Sequence, residues 1–225
     1  MVHKTAHNSF FMLTYKVVSN NMRQIGLIGG LIIAVIVSAL GYMFWMNEKN
    51  KAAQRYFGFL VMEYNRGLQD KDVDWQMLLK KFERGYEKHA GSSLMPYYKD
   101  YAVNILLKQH KTDEAVALLD SIIADTESSP LLSLYQMEKA LILLDMSDAE
   151  KQKQAEESLK SLAYDSLNQF HDSALFYLGR YYWAHDNIES ARQVWQKLVD
   201  EQADEKAAPS AWTQQVKEYL KLIVA

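Results

Sequence analysis

Residues 178–198 read LGRYYWAHDNIESARQVWQKL, and the spacing of small and large residues here decides the fold. Gly179, Tyr182 and Trp183 form one group, Ala191, Trp195 and Leu198 a second, and the short polar run His185-Asp186-Asn187 separates them. A small residue with large ones a turn away suits a helix that a neighbour approaches closely, because the large side chains fill the groove beside the contact. The stretch therefore reads as a pair of packed helices.

Both groups recur upstream. Ala115-x3-Leu119-x2-Ile122, Ala155-x3-Leu159-x2-Leu162 and Ala191-x3-Trp195-x2-Leu198 stand 40 and 36 residues apart. Ala102-x2-Ile105-Leu106, Ala140-x2-Leu143-Leu144 and Gly179-x2-Tyr182-Trp183 stand 38 and 39 apart. A weaker copy, Leu78-x3-Phe82-x2-Gly85, lies 37 residues before the first Ala115 group. Repetition at this period predicts a solenoid of helical pairs, with helices near 50–69, 74–89, 94–109, 112–124, 130–146, 148–163, 171–185, 187–201 and 210–223. Ser147 and Asp186 each precede a Glu by three residues, the capping-box spacing. Asp113 and Glu114 suit the positive end of a helix dipole. Ser129-Pro130 reads as an N-cap followed by a first-turn proline, and Pro96 and Pro209 also fall near helix starts. The acidic, Ala-rich run 201–208 is the expected seam before the last helix.

The composition agrees with an all-α chain. Among 225 residues there are nine Gly, three Pro and no Cys, against 14 Tyr, eight Phe and five Trp. This does not suit a turn-rich β-sandwich or a disordered chain, and without cysteine there is no disulfide framework, thiolate metal site or cysteine nucleophile. Residues 1–46 hold Lys4, Lys16 and Arg23 and no acid, leaving 22 Lys and Arg against 28 Asp and Glu in the remainder, a net −6. That balance opposes nucleic-acid binding.

From Ile25 to Met46 the sequence runs for 22 residues without a charge, roughly 33 Å of helix, enough to cross a hydrocarbon core of about 30 Å. A transmembrane helix is expected here, with Tyr42, Phe44 and Trp45 at a headgroup boundary. A cleaved signal peptide ending near Ala39 is the competing reading; the long flank before the run and its continuation past that point oppose it. Ser9–Val18 reads either as an interfacial amphipathic helix or as a tail that touches lipid transiently. The expected domains are thus a tail, 1–24, the span, 25–46, and a repeat domain, 47–225. Gly26, Gly30, Ala34 and Ser38 recur every four residues and form a small-residue ridge for helix packing in the bilayer. Three Lys and Arg before the span face four after it, Lys49, Lys51, Arg55 and Arg66, so charge does not set the orientation.

No catalytic constellation emerges. His3 and His7 share an i, i+4 spacing but lack acidic or thiol partners nearby. His171 opens a helix and His185 closes one, where capping explains them. Glu156-Glu157 and Asp204-Glu205 read as solvated faces, and no phosphate-cradling glycine loop, nucleophile elbow or zinc-helix motif is present. Neither an enzyme nor a cofactor, metal or small-molecule substrate is expected.

Leu175, Leu178, Gly179, Tyr182, Ala191, Trp195 and Leu198 match the spacing of the tetratricopeptide repeat, with Ala203 where that repeat usually has Pro; the two earlier units fit less well, with longer turns expected between their helices. Taken with the short tail, the single span and the long helix after it, the chain resembles the YfgM-like family, ancillary subunits of the bacterial SecYEG translocon. The resemblance implies a single-pass inner-membrane protein with its repeat domain in the periplasm, associated with SecYEG and a membrane-anchored periplasmic chaperone. Its geometry places Val103, Leu106, Leu107, Met137, Leu141, Leu144, Phe176, Arg180 and Trp183 on an inward, largely apolar groove, with only Lys99 and Arg180 available as cations. Such a groove suits an extended apolar segment or an amphipathic helix; equally, the chain fills it with its own last helix through Trp212, Val216, Tyr219, Leu220 and Ile223. The expected role is a membrane-anchored adaptor of the translocation channel that recruits chaperones or emerging chains. The alternatives are a structural subunit of another large membrane complex or a cytoplasm-facing repeat adaptor.

Overall fold

The structure, a computed structural model, describes residues 22–70, 72–126, 129–201 and 210–224, with residues 22–34 and 224 described in their backbone only. Among these residues the helices are α1 Met22–Gly67, α2 Trp75–Lys88, α3 Met95–Lys108, α4 Thr112–Asp125, α5 Leu132–Leu144, α6 Ala149–Tyr164, α7 His171–Ala184, α8 Ile188–Glu201 and α9 Thr213–Val224, with no strand. The chain divides into two compact units, residues 1–56 and Phe57–Ala225.

In the first unit, α1 runs unbroken where a boundary near residue 47 was expected. Val35, Ile36, Val37, Leu40, Met43 and Phe44 are all more than half exposed on it. Among the described residues, no helix is long and apolar enough to cross a membrane. The expected span begins at Ile25, and its side chains up to Ala34 lie outside the described residues, as do those of the ridge residues Gly26, Gly30 and Ala34; Ser38 is exposed. The tail 1–21, with His3 and His7, also lies outside them.

In the second unit every helix packs on the next in sequence, as expected of a quasi-one-dimensional repeat array. The two expected capping-box N-caps are displaced by one residue, and the expected Ser129 cap is not used, α5 starting at Leu132 without a side-chain cap. Asp148, not Ser147, caps α6, accepting from the amides of Glu150 and Lys151 at 2.9 and 3.3 Å. Asn187, not Asp186, caps α8 through the Ser190 amide. Asp186 and His110 instead adopt left-handed backbone, φ 56° and 58°. Each lets the next amide reach back, Asn187 to the Tyr182 carbonyl and Lys111 to the Leu106 carbonyl, both at 2.9 Å, closing α7 and α3 with the same six-residue loop-back. The turn between α3 and α4 is thus as tight as that between α7 and α8, not longer as expected.

The repeat residues form the core. Ala102, Ala115, Ala140, Ala155 and Ala191 are fully buried, as are Leu119, Ile122, Leu159, Trp195 and Leu198. Two glycines mark the closest approaches. A Cβ at Gly179 would overlap the Trp195 indole, and one at Gly85 would overlap the Tyr98 ring. The weak first copy is also real: α2 buries Leu78, Phe82 and Gly85. Its partner is the last part of α1, whose Phe57 and Tyr64 meet Tyr98, Tyr101 and Trp75 edge-on with centroids 4.9–5.7 Å apart.

Because Ala155 and Ala191 are fully buried while Lys153 is exposed, Ala155→Phe and Ala191→Phe are each expected to cost roughly 1–3 kcal/mol by overpacking. Lys153→Phe should be nearly neutral, a contrast readable in thermal unfolding by circular dichroism.

Candidate functional site

The first helices of successive pairs, α3, α5 and α7, place equivalent residues in register. Intervals of 38 and 39 residues align Asp100 with Glu138 and Tyr177, Val103 with Leu141 and Arg180, and Leu106 with Leu144 and Trp183. Of the residues assigned to the groove, Val103, Leu106, Met137 and Phe176 are buried. Leu107, Leu141 and Leu144 are half-buried, and Arg180 and Trp183 are exposed, Trp183 only just.

At the third pair the chain covers this face itself. Trp212 stacks on Phe176 at 4.4 Å, and its indole N–H donates to Ser173 Oγ at 2.9 Å. Tyr219 lies 5.3 Å from Trp183 and 5.0 Å from Trp195, and Val216 is fully buried. Farther along α7, a cleft of about 440 Å³ opens, lined by Leu141, Leu144, Asp145, Gln152, Tyr177, Arg180, Tyr181, Ala184 and His185. A neighbouring cleft of about 470 Å³, lined by Leu107, Thr112, Ile142, Asp145, Met146 and Ser147, shares Asp145 with it.

The cations are distributed unevenly over these helices. Lys99, one of the two expected in the groove, is committed: it bonds Asp125 Oδ2 at 2.6 Å and Ser121 Oγ at 3.1 Å. Arg180 has its guanidinium 5.9 and 5.8 Å from the ring centres of Phe176 and Tyr177.

Two acids here were not singled out from the sequence. Asp100 and Glu138 hydrogen-bond to each other across α3 and α5. Burial raises both carboxyls, and the neighbouring Asp100 charge helps push Glu138 to about 8. Two carboxyls this close cannot both ionise readily, so the pair holds one proton near neutrality. Burial and the nearby acids raise the Tyr135 hydroxyl as well. The available signal was positional, each acid lying two residues before a repeat alanine, Ala102 or Ala140.

A carboxyl whose native pKa is raised stabilises the fold fully below its unfolded value of 4.5, and loses that contribution as pH rises through about 8. Glu138→Gln keeps a neutral partner for Asp100 and removes the titration. The variant is expected to melt roughly 2–6 °C above the parent at pH 9, with the difference shrinking towards pH 5.5.

Other polar groups serve structure. Glu156 is not a solvated acid: burial raises it, but hydrogen bonds from Lys160 and Tyr182 outweigh burial and hold it below the usual range. His171 does not cap its helix; it is buried, and Nε2 meets Glu201 Oε2 at 2.7 Å, tying the start of α7 to the end of α8. His185 stays in its end-of-helix role, Nδ1 lying 2.8 Å from the Tyr181 carbonyl. Asp204 and Glu205 lie outside the described residues. Among the described residues no three His, Asp or Glu converge as a metal site.

No protein-family model matches the chain, and no curated protein matches it. Solved structures do. A tetratricopeptide repeat protein from Parabacteroides merdae superposes with a TM-score of 0.56 at 17% identity, over 77% of this chain and 60% of its own. The nearly identical TPR-like repeats of a protein from Podosopora anserina superpose with a TM-score of 0.52 at 16% identity, over 79% of this chain and 84% of theirs. The chain thus spans less than two thirds of the Parabacteroides protein. The described helical solenoid has the tetratricopeptide-like fold.

Proposed function

We propose that this protein is a membrane-anchored adaptor of the bacterial protein-translocation channel. Ile25–Met46 would span the inner membrane, packing on a partner helix through Gly26, Gly30, Ala34 and Ser38. The repeat domain, in the periplasm, would hold a membrane-anchored chaperone or an emerging chain near a SecYEG-type channel. Tethering raises the local concentration of whatever the solenoid binds. The observation that carries an adaptor role is the cleft between α5 and α7, open and partly apolar on a tetratricopeptide-like fold. The anchor rests on the uncharged run and on the apolar side chains exposed all around α1 from Val35 to Trp45. The channel, the chaperone and the sidedness rest on the resemblance to the YfgM-like family.

A structural subunit of another membrane complex is the second reading, favoured by the seating of α9 on Phe176. Affinity capture from solubilised native membranes separates the two. Recovery of channel subunits with a periplasmic chaperone is expected, and Gly30→Leu with Ala34→Leu should reduce it severalfold. Recovery of another complex without channel components would overturn the adaptor reading. Sidedness is testable because the chain has no cysteine. Leu167, 94% exposed, changed to Cys should react with a membrane-impermeant thiol reagent in intact spheroplasts, whereas Ala6→Cys should react only after lysis. The reverse pattern would place the repeats in the cytoplasm.

A further inference from the structure

The α5–α7 cleft presents a cation, Arg180, that no acid among the described residues matches. Arg180 is exposed, rests against the Phe176 and Tyr177 rings, and makes no ion pair among the described residues. Lysines that cross between helices of the solenoid are matched: Lys99 with Asp125, Lys139 with Asp120 and Lys151 with Asp113. Arg180 also departs from its repeat register, standing where the earlier pairs carry the aliphatic Val103 and Leu141. A guanidinium laid against aromatic rings is held in orientation while its N–H edge stays available for a bidentate carboxylate. Around it, Leu141, Leu144, Tyr177 and Tyr181 supply apolar surface, and the volume of about 440 Å³ falls in the range that accepts a compact ligand. Asp145 lines the same cleft, also without an ion pair among the described residues, and repels a uniformly acidic segment.

We propose that this cleft docks an extended segment of a partner protein through one acidic side chain held by Arg180 and one large apolar side chain packed on Leu141, Leu144 and Tyr177. This rests on the adaptor reading and adds the chemistry of what is recognised. Asp145 restricts the acid to the Arg180 side, so the segment carries its negative charge singly.

The test uses the full chain in detergent and three fluorescein-labelled octapeptides of Gly and Ser. Each contains one Leu-Phe pair and, two residues away, Glu, Gln or Lys. Fluorescence polarisation is expected to show the Glu peptide binding roughly tenfold more tightly than the Gln peptide, with the Lys peptide weakest. Arg180→Gln should level the series and Arg180→Glu should invert it, while Leu144→Asp should weaken all three peptides. Melting curves that match the parent's would show that the Arg180 variants and the half-buried Leu144 variant remain folded. Equal binding of the three peptides, still lost with Leu144→Asp, would overturn the charge recognition and leave an apolar docking cleft. An unchanged order in Arg180→Glu would also overturn it. Absence of saturable binding by all three would overturn docking at this cleft, whereas the adaptor role stands or falls separately on the membrane capture.

Discussion

Trp195→Ala is expected to lower the unfolding free energy by about 3–5 kcal/mol, the cost of emptying a large buried aromatic site. Trp195 is fully buried, fills the space left by the missing side chain of Gly179, and donates its indole N–H to the Phe176 carbonyl at 3.1 Å. It also meets Trp183 and Tyr219, at 5.8 and 5.0 Å, so one side chain joins α7, α8 and α9. The melting temperature should fall roughly 6–20 °C. Gly179→Ala supplies the control. Alone it overlaps the indole and should destabilise by roughly 1–3 kcal/mol; in the Trp195→Ala background the overlap is gone, and alanine's helix propensity, about 1 kcal/mol better than glycine's, should make it stabilising. Additive effects of the two substitutions would contradict the packing described.

Tyr98→Ala should cost a similar 3–5 kcal/mol, but at the other end of the array. Tyr98 is fully buried on α3, packs edge-on against Phe57 and Phe82, lies against His89, and sits over Gly85. Because each helix of the solenoid contacts chiefly its sequence neighbours, damage should stay near its origin. Amide exchange should accelerate in α2 and α3 for Tyr98→Ala and in α7, α8 and α9 for Trp195→Ala. Identical exchange profiles would mean that the repeat domain unfolds as one block.

Expected and observed helices agree most closely where residue type alone dictates the backbone. The 3.6-residue spacing of Ala191, Trp195 and Leu198, repeated at Ala155 and Ala115, required helices with one close-packed face, and those residues are buried. The N-caps proved less exact, because Ser147 and Asp148 are both competent acceptors, as are Asp186 and Asn187. Which of each pair caps depends on where the preceding turn delivers the chain. Before α8, the left-handed backbone at Asp186 shifts that point by one residue.

Of the candidate site, the sequence supplied the residues but not their company. The resemblance to the tetratricopeptide repeat placed Leu141, Leu144 and Arg180 on one face. The sequence also named α9 as a competitor for that face. Long-range packing then divided the face: α9 covers Phe176 and reaches Trp183, the region around Leu144 and Arg180 remains a cleft, and Lys99 is spent on Asp125. The Asp100–Glu138 pair shows the same division most plainly. Each acid alone reads as an ordinary residue on a helix, and the shared proton exists only because α3 and α5 bring the two carboxyls together and bury them. The sequence by itself determined the helices, their repeat and their apolar faces, since these depend on interactions within a few residues of the chain. Only the tertiary structure decided which charges are matched, which face is covered and where a cleft remains, because those depend on side chains tens of residues apart competing for the same partners and the same surface.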